Sequence, residues 1–215
     1  MQTDILEITL NSLIIFELYS QKLFRLEALP LESIRAFIAV DIEDSNLVQK
    51  ILDVQRDFLQ TGAKLKLVEP ENIHFTLRFL GNIVSATVNK IYEAMKRIEF
   101  TPFELELYGV GCFSSLSRIN NVWIGTRKGK DEITHIYNDL EAQIRMLKIP
   151  PEGKGYTPHA TIARVKSAYN KDKLAKLISK FSSLEIGSMT VNSIRLKESK
   201  LTPKGPEYSI LRSIP

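Results

Sequence analysis

The segment 73–79 alternates strictly between apolar and polar residues, and its polar positions are His74, Thr76 and Arg78. A period of two is typical of a half-buried β-strand. In a strand, His74 and Thr76 point to the same face, with Cα atoms roughly 6–7 Å apart at ~3.3 Å per residue. The pattern therefore predicts a strand that presents an imidazole beside a hydroxyl.

A second segment, Pro158–Ile162, repeats the arrangement with His159 and Thr161. In both segments an aliphatic residue follows the threonine, and two of the chain's three histidines begin such a tetrad. A single histidine on a strand face is more often structural than catalytic, so the repetition gives the pattern its weight. Two such pairs facing each other across a cleft would supply an acid, a base and two hydroxyl donors for one phosphate.

Strand-like and helix-like periods occur twice along the chain in roughly the same order, with one tetrad in each half. This order predicts an α+β, two-lobed pseudo-duplicated fold, in which two antiparallel sheets face a central cleft and helices lie outside. We place this domain at residues 34–215. Residues 1–33 are interpreted as an N-terminal extension, or as the result of an upstream start codon chosen in error.

Basic residues are concentrated in the last third of the chain. The net charge is +4, yet residues 151–215 hold 12 basic and 5 acidic residues. Such a surface favours a polyanion such as RNA, and Lys154 is a candidate to line a phosphate path near the second tetrad. The single cysteine, Cys112, suits a reducing compartment, and no charge-free run approaches the ~20 residues of a membrane span. We expect a cytoplasmic monomer without membrane contact.

The residues around both tetrads resemble a known family. His74–Gly81 and Thr157–Arg164 are similar to the paired motifs of the two-histidine phosphoesterases, above all the RNA 2′,3′-cyclic phosphodiesterase branch, also called 2′-5′ RNA ligase or LigT-like. Arg35–Ile42 resembles that family's opening strand, and Ser199–Tyr208 resembles its closing hairpin. The resemblance runs from about residue 34 to the C-terminus and does not cover residues 1–33.

The resemblance implies hydrolysis of RNA 2′,3′-cyclic phosphate ends, typically to a 2′-phosphate, with no metal or cofactor and with 2′-5′ ligation as a related reaction. His74 and His159 would be the acid–base pair, and Thr76 and Thr161 would hold the phosphate. Arg164 would be the guanidinium, by its match to the family's His-x-Thr-x-x-Arg. One neutral and one charged imidazole predict a bell-shaped pH dependence around neutrality. Halves of cleaved tRNA are one candidate substrate. The alternatives are another cyclic phosphate or nucleotide substrate, and a non-catalytic RNA-binding module.

Two arginines compete for the phosphate. In an unbroken strand Arg164 would point away from His159, so a bulge or the strand end has to bring it to the site. Arg78 shares the face of His74 by parity, and further along the groove it would contact RNA. Phe37 is a candidate for stacking on a base, although core packing fits it better.

Overall fold

The periodic patterns become strands and helices in a computed structural model, which describes residues 33–153, 155–167, 169–203 and 205–215. The strands within these residues are β1 (Ser33–Asp41), β2 (Leu65–Leu67), β3 (His74–Val84), β4 (Phe103–Ser115), β5 (Arg118–Thr126), β6 (Ala160–Val165), β7 (Glu185–Val191), β8 (Ile194–Leu201) and β9 (Pro206–Ile214). The α-helices are α1 (Ser45–Gln60), α2 (Thr87–Met95), α3 (Lys130–Met146) and α4 (Lys171–Lys180). The predicted α+β class is confirmed.

The described strands form one curled antiparallel sheet in the order β7-β4-β5-β6-β3-β1-β8-β9, with β2 also beside β6. The four strands from β7 to β6 and the four from β3 to β9 correspond to the two predicted lobes. They join where Phe75 of β3 pairs with Ala160 of β6. The two sheets that we expected are thus halves of a single sheet, because this pairing satisfies strand edges that two separate sheets would expose.

The helices divide between the two halves of the sheet. Helices α1 and α4 pack on the strands from β7 to β6, whereas α2 and α3 pack on the side of β3 and β9. Helix α1 begins after Asp44, whose carboxylate accepts a hydrogen bond from the Leu47 amide at 2.7 Å. Its apolar stripe buries Ile51 and Phe58 completely.

Burial along the two tetrad strands decides which face is left for a site. The apolar residues of the tetrads are buried, with at most 1% of their surface exposed: Phe75, Leu77, Ala160 and Ile162. The histidines and threonines between them are only half-buried. The helices therefore cover one face of the sheet at this point, and the polar residues occupy the other.

None of the helices in the described residues is long and apolar enough to cross a membrane. Residues 1–32, which make up nearly all of the expected N-terminal extension, lie outside the described residues, and so does Lys154.

Candidate active site

The two His-x-Thr motifs lie side by side at the junction of β3 and β6. Phe75 and Ala160, which separate histidine from threonine in the two motifs, form the strand pair that joins the two halves of the sheet. In this antiparallel register His74 lies opposite Thr161. By the same pairing, Thr76 lies opposite His159. Pairing of non-local strands thus brings together four side chains that the sequence places in two distant segments.

Both imidazoles are oriented by the backbone two residues before them. The Nδ1 atom of His74 is 2.8 Å from the carbonyl oxygen of Asn72. The Nδ1 atom of His159 is 2.7 Å from the carbonyl oxygen of Thr157. A carbonyl only accepts hydrogen bonds, so each Nδ1 carries a proton. Each Nε2 is therefore the nitrogen that can accept or release a proton at the site.

The hydroxyl of Thr76 is held by its own histidine. Its Oγ1 atom lies 2.9 Å from Nε2 of His74. When His74 is neutral, Nε2 accepts this hydrogen bond from the hydroxyl, because Nδ1 already donates. When His74 is protonated, the bond reverses and the hydroxyl proton becomes available to another acceptor. Protonation of His74 and donation by Thr76 are thus coupled.

Two aromatic rings enclose His74. The ring of Phe37 lies 5.0 Å away between centroids, and the ring of Tyr208 meets the imidazole edge-on at 5.5 Å. Only 3% of the surface of Phe37 is exposed. Its ring packs against the imidazole, as the core-packing interpretation expected, and Phe37 also lines the cavity over His74, so stacking on a base stays a prediction.

His159 has an aromatic environment of the same kind. Phe113 on β4 meets the imidazole edge-on at 4.8 Å, and Trp123 on β5 lies 6.1 Å away. Neither residue stands near a tetrad in the sequence, and we did not predict a role for them. Strand pairing between β4, β5 and β6 is what brings them to the site.

Burial makes both histidines weak bases. It lowers the pKa of His74 from 6.5 to about 4, with the nearby charge of Lys197 acting in the same direction and the bond to the Asn72 carbonyl opposing it. Burial also lowers the pKa of His159, and the hydrogen bond that its Nδ1 donates to the Thr157 carbonyl opposes this shift. Removing a cation from water penalises the charged imidazole in both cases. At neutral pH both rings are neutral in the free protein.

A buried ion pair supports the His74 side of the site. Lys197 is 4% exposed, and its Nζ lies 2.6 Å from Asp41 on β1. The same Nζ is 5.7 Å from the ring centroid of Tyr208 and 6.0 Å from that of Phe37. A lysine in a strand gives no sequence signal of burial, so we did not anticipate this contact.

Arg164 reaches the site through a bulge. Between the pairs that join Val122 and Trp123 to β6, the register shifts so that Ile162 is an extra residue. Buried Gln55 of α1 donates to the Ile162 carbonyl at 2.8 Å and so satisfies the distorted backbone. With this insertion Arg164 is exposed and lines a cavity together with His74. A bulge was one of the two devices that the sequence required for Arg164, and it is present.

Arg78 on β3 is turned away from the cavity over His74. Arg78 is 2% exposed and ion-paired with Glu141 of α3, with Glu152 at 3.5 Å. The expectations that it shares the face of His74 and contacts RNA are therefore wrong. Alternation breaks at Leu77 and Arg78, which are both buried, so Phe79 turns outward with 57% exposure. By the tetrad alignment Phe79 is the counterpart of Arg164.

A cavity of about 210 Å³ lies over His74, and Phe79, Arg164 and Tyr208 are among its lining residues. A cavity of this size, with apolar walls and the two cations Arg35 and Arg164, suits a compact anionic group. Among the described residues, no group of three or more His, Cys, Asp or Glu side chains could hold a metal ion.

The family model described as LigT like Phosphoesterase matches the chain twice, at residues 40–123 and 124–208. Each match contains one of the two tetrads, which agrees with the predicted duplication.

Curated relatives resemble the chain over most of its length. A protein of Methanothermobacter thermautotrophicus named RNA 2′,3′-cyclic phosphodiesterase is 36% identical, over 82% of this chain and 95% of its own length. One of the same name from Aeropyrum pernix is 36% identical, over 78% of this chain and 96% of its own. The crystal structure of E. coli LigT complexed with 3′-AMP matches with a TM-score of 0.70 at 22% identity, over 85% of this chain and 98% of that one. This match shows a shared fold.

Proposed function

Because the chain belongs to the LigT-like phosphoesterase family, we propose that it hydrolyses RNA 2′,3′-cyclic phosphate ends by acid–base catalysis between His74 and His159. The observation that carries this proposal is the pair of imidazoles whose Nδ1 atoms are held by carbonyls, which leaves two Nε2 atoms for proton transfer. The names of the curated relatives support the substrate class.

The lowered pKa values favour one assignment of the two roles. A base has to be neutral when substrate binds, and His74 has the pKa of about 4. We therefore assign His74 as base and His159 as acid. As water attacks phosphorus, its proton passes to Nε2 of His74. The bond from phosphorus to the ribose 3′-oxygen breaks, and His159 in its protonated form, which is the minor form at neutral pH, gives its Nε2 proton to that oxygen. The product is a 2′-phosphate.

Three further side chains are suited to the charge that develops on the phosphoryl oxygens. Thr76 and Thr161 offer hydroxyl donors on the same face as the imidazoles. Protonation of His74 by the attacking water releases the Thr76 hydroxyl for donation to the phosphate, because the bond between them reverses. Arg164 supplies a planar pair of donors that remains charged. If a ribose 5′-hydroxyl replaces water, the same steps form a 2′-5′ linkage.

A substrate panel in excess EDTA tests the proposal. We expect an RNA oligonucleotide ending in a 2′,3′-cyclic phosphate to be hydrolysed at an unchanged rate, because proton transfer and charge stabilisation come from side chains. Mass spectrometry and resistance of the product to a 3′-specific phosphatase would identify the 2′-phosphate. Loss of turnover on chelation, restored by a divalent ion, would contradict the mechanism. Preference for another cyclic phosphate, such as that of ADP-ribose, would contradict the substrate.

The pH dependence of kcat/KM follows from the lowered pKa values. Activity should rise as His74 loses its proton above about pH 4. It should fall as His159 loses its proton at a pKa below the usual 6.5. Since kcat/KM reports the groups of the free enzyme, the maximum should lie on the acidic side of neutrality. Unperturbed imidazoles would instead place it around neutrality. Initial rates at low substrate concentration, measured from about pH 3.5 upward, give the profile.

The residual activity of single variants tests the two roles. In His159→Ala the residual activity should rise with pH to a plateau, because only a neutral base is still required. In His74→Ala the residual activity should fall as the pH rises, because only a protonated acid is still required. The reverse pattern would exchange the assignments of base and acid.

A further inference from the structure

Four basic residues, which we call the basic stripe, share one face of the two-stranded ribbon of β2 and β6. Lys66 pairs with Arg164. One step further, the Lys166 amide donates to the Lys64 carbonyl at 2.7 Å and continues the same register. Alternate residues of a strand share a face, and all four side chains are exposed. The stripe begins at Arg164, in the cavity over His74, and runs away from it.

Folding alone does not account for this arrangement. Like charges placed directly opposite each other on neighbouring strands destabilise a sheet, and the basic stripe contains two such pairs. Within the described part of the chain, no carboxylate forms an ion pair with Lys64, Arg164 or Lys166. The positive charge of Lys64, Arg164 and Lys166 is therefore available to an external anion.

A cavity continues the positive surface beyond the stripe. It measures about 270 Å³ and is lined by Arg118, Lys166 and Lys171 together with Ser117 and other neutral residues. None of its described lining residues is acidic. The three cations come from β5, from the end of β6 and from α4, so this cluster is built by the fold and does not belong to one helix.

The surface on the other side of Arg164 has the opposite character. A neighbouring cavity of about 300 Å³, which Arg164 and Lys66 line at this end of the stripe, includes three carboxylates: Glu69, Glu71 and Glu207. A polyanion held at Arg164 would be repelled in that direction and attracted along the basic stripe. Electrostatics thus gives the strand one favoured exit from the site.

We propose that the basic stripe and the cavity lined by Arg118 and Lys171 bind the backbone phosphates of the nucleotides that precede the cyclic end of an RNA strand. This inference rests on the proposed function, because only an RNA whose terminus lies at the histidines has a preceding strand to hold. The contacts are to phosphate, so they confer length dependence and no base preference.

The experiment compares two substrates with the variant Lys64→Gln/Lys166→Gln. One substrate is a nucleoside 2′,3′-cyclic phosphate, and the other is a single-stranded RNA oligonucleotide with the same end. The KM of the oligonucleotide should rise severalfold, and its slope against the logarithm of salt concentration should fall by ~1.4, at ~0.7 per lost phosphate contact. Turnover of the mononucleotide should not change. The control, Lys50→Gln/Lys90→Gln, removes the same charge from exposed positions on α1 and α2 and should leave both substrates unaffected.

Binding of the oligonucleotide, followed by fluorescence anisotropy, gives a second measurement that does not require turnover. If wild type hydrolyses neither substrate, the proposed function fails, and the anisotropy comparison still decides the path of the strand. Equal effects of the two double variants on oligonucleotide affinity would overturn the inference. So would an oligonucleotide KM and salt slope that match those of wild type.

Discussion

Replacement of His74 or His159 by alanine is expected to lower kcat on a cyclic-phosphate RNA at least ~10²-fold, the low end for a positioned acid or base. Each substitution removes one end of a proton exchange that water cannot replace at the same position. The double variant should lose less than the product of the two single effects, because residues that act as a unit are not additive. The measurement is kcat from single-turnover kinetics with saturating enzyme.

The chain contains its own control for this experiment. His135 is exposed on α3, where its Nε2 lies 3.4 Å from Asp139. His135→Ala should retain wild-type kcat. If instead wild type shows no turnover and all three variants bind RNA as wild type does, the protein would be the non-catalytic RNA-binding module.

The local part of this site could be predicted from the sequence because it depends only on strand periodicity. A period of two around His74 and around His159 indicates strands and places each threonine on the face of its histidine. The hydrogen bond between His74 and Thr76 is consistent with that local rule. The α+β class follows from similar local patterns, summed over the chain.

The register between the two motifs could not be predicted in this way. The pairing of Phe75 with Ala160 joins strands from different halves of the chain. Alternation in one strand contains no information on which residue of another strand it meets. We therefore expected two sheets across a cleft, whereas the motifs are neighbours in one sheet.

Strict strand alternation also predicted the wrong face for both arginines, for a related reason. A bulge shifts every later residue to the other face, and its position depends on contacts from elsewhere in the fold. Gln55 of α1 bonds to the bulge at Ile162, and Glu141 of α3 pairs with Arg78. A polar residue within an alternating strand can thus be buried when a distant helix supplies its partner.

The second prediction with a large expected effect concerns Arg164, which lines the cavity over His74 where Arg78 does not. Arg164→Ala should lower kcat ~10²–10³-fold, the effect of removing one donor to a transition-state oxyanion. Arg164→Lys should recover only part of this loss, because lysine keeps the charge but lacks the planar pair of donors. Both variants should unfold at the same temperature as wild type, since the Arg164 side chain is exposed.

Arg78→Ala should show the opposite behaviour. Its removal leaves the mostly buried Glu141 carboxylate without this partner, and the loss of one partner of a buried ion pair destabilises a folded protein by about 3–5 kcal/mol. Thermal unfolding should therefore begin at a lower temperature, whereas kcat measured well below that temperature should stay close to wild type. The double variant Arg78→Met/Glu141→Leu removes both charges and should regain most of the stability. Loss of kcat in a fully folded Arg78→Ala, with Arg164→Ala near wild type, would show that the phosphate is held from β3 and that the bulge at Ile162 has no part in catalysis.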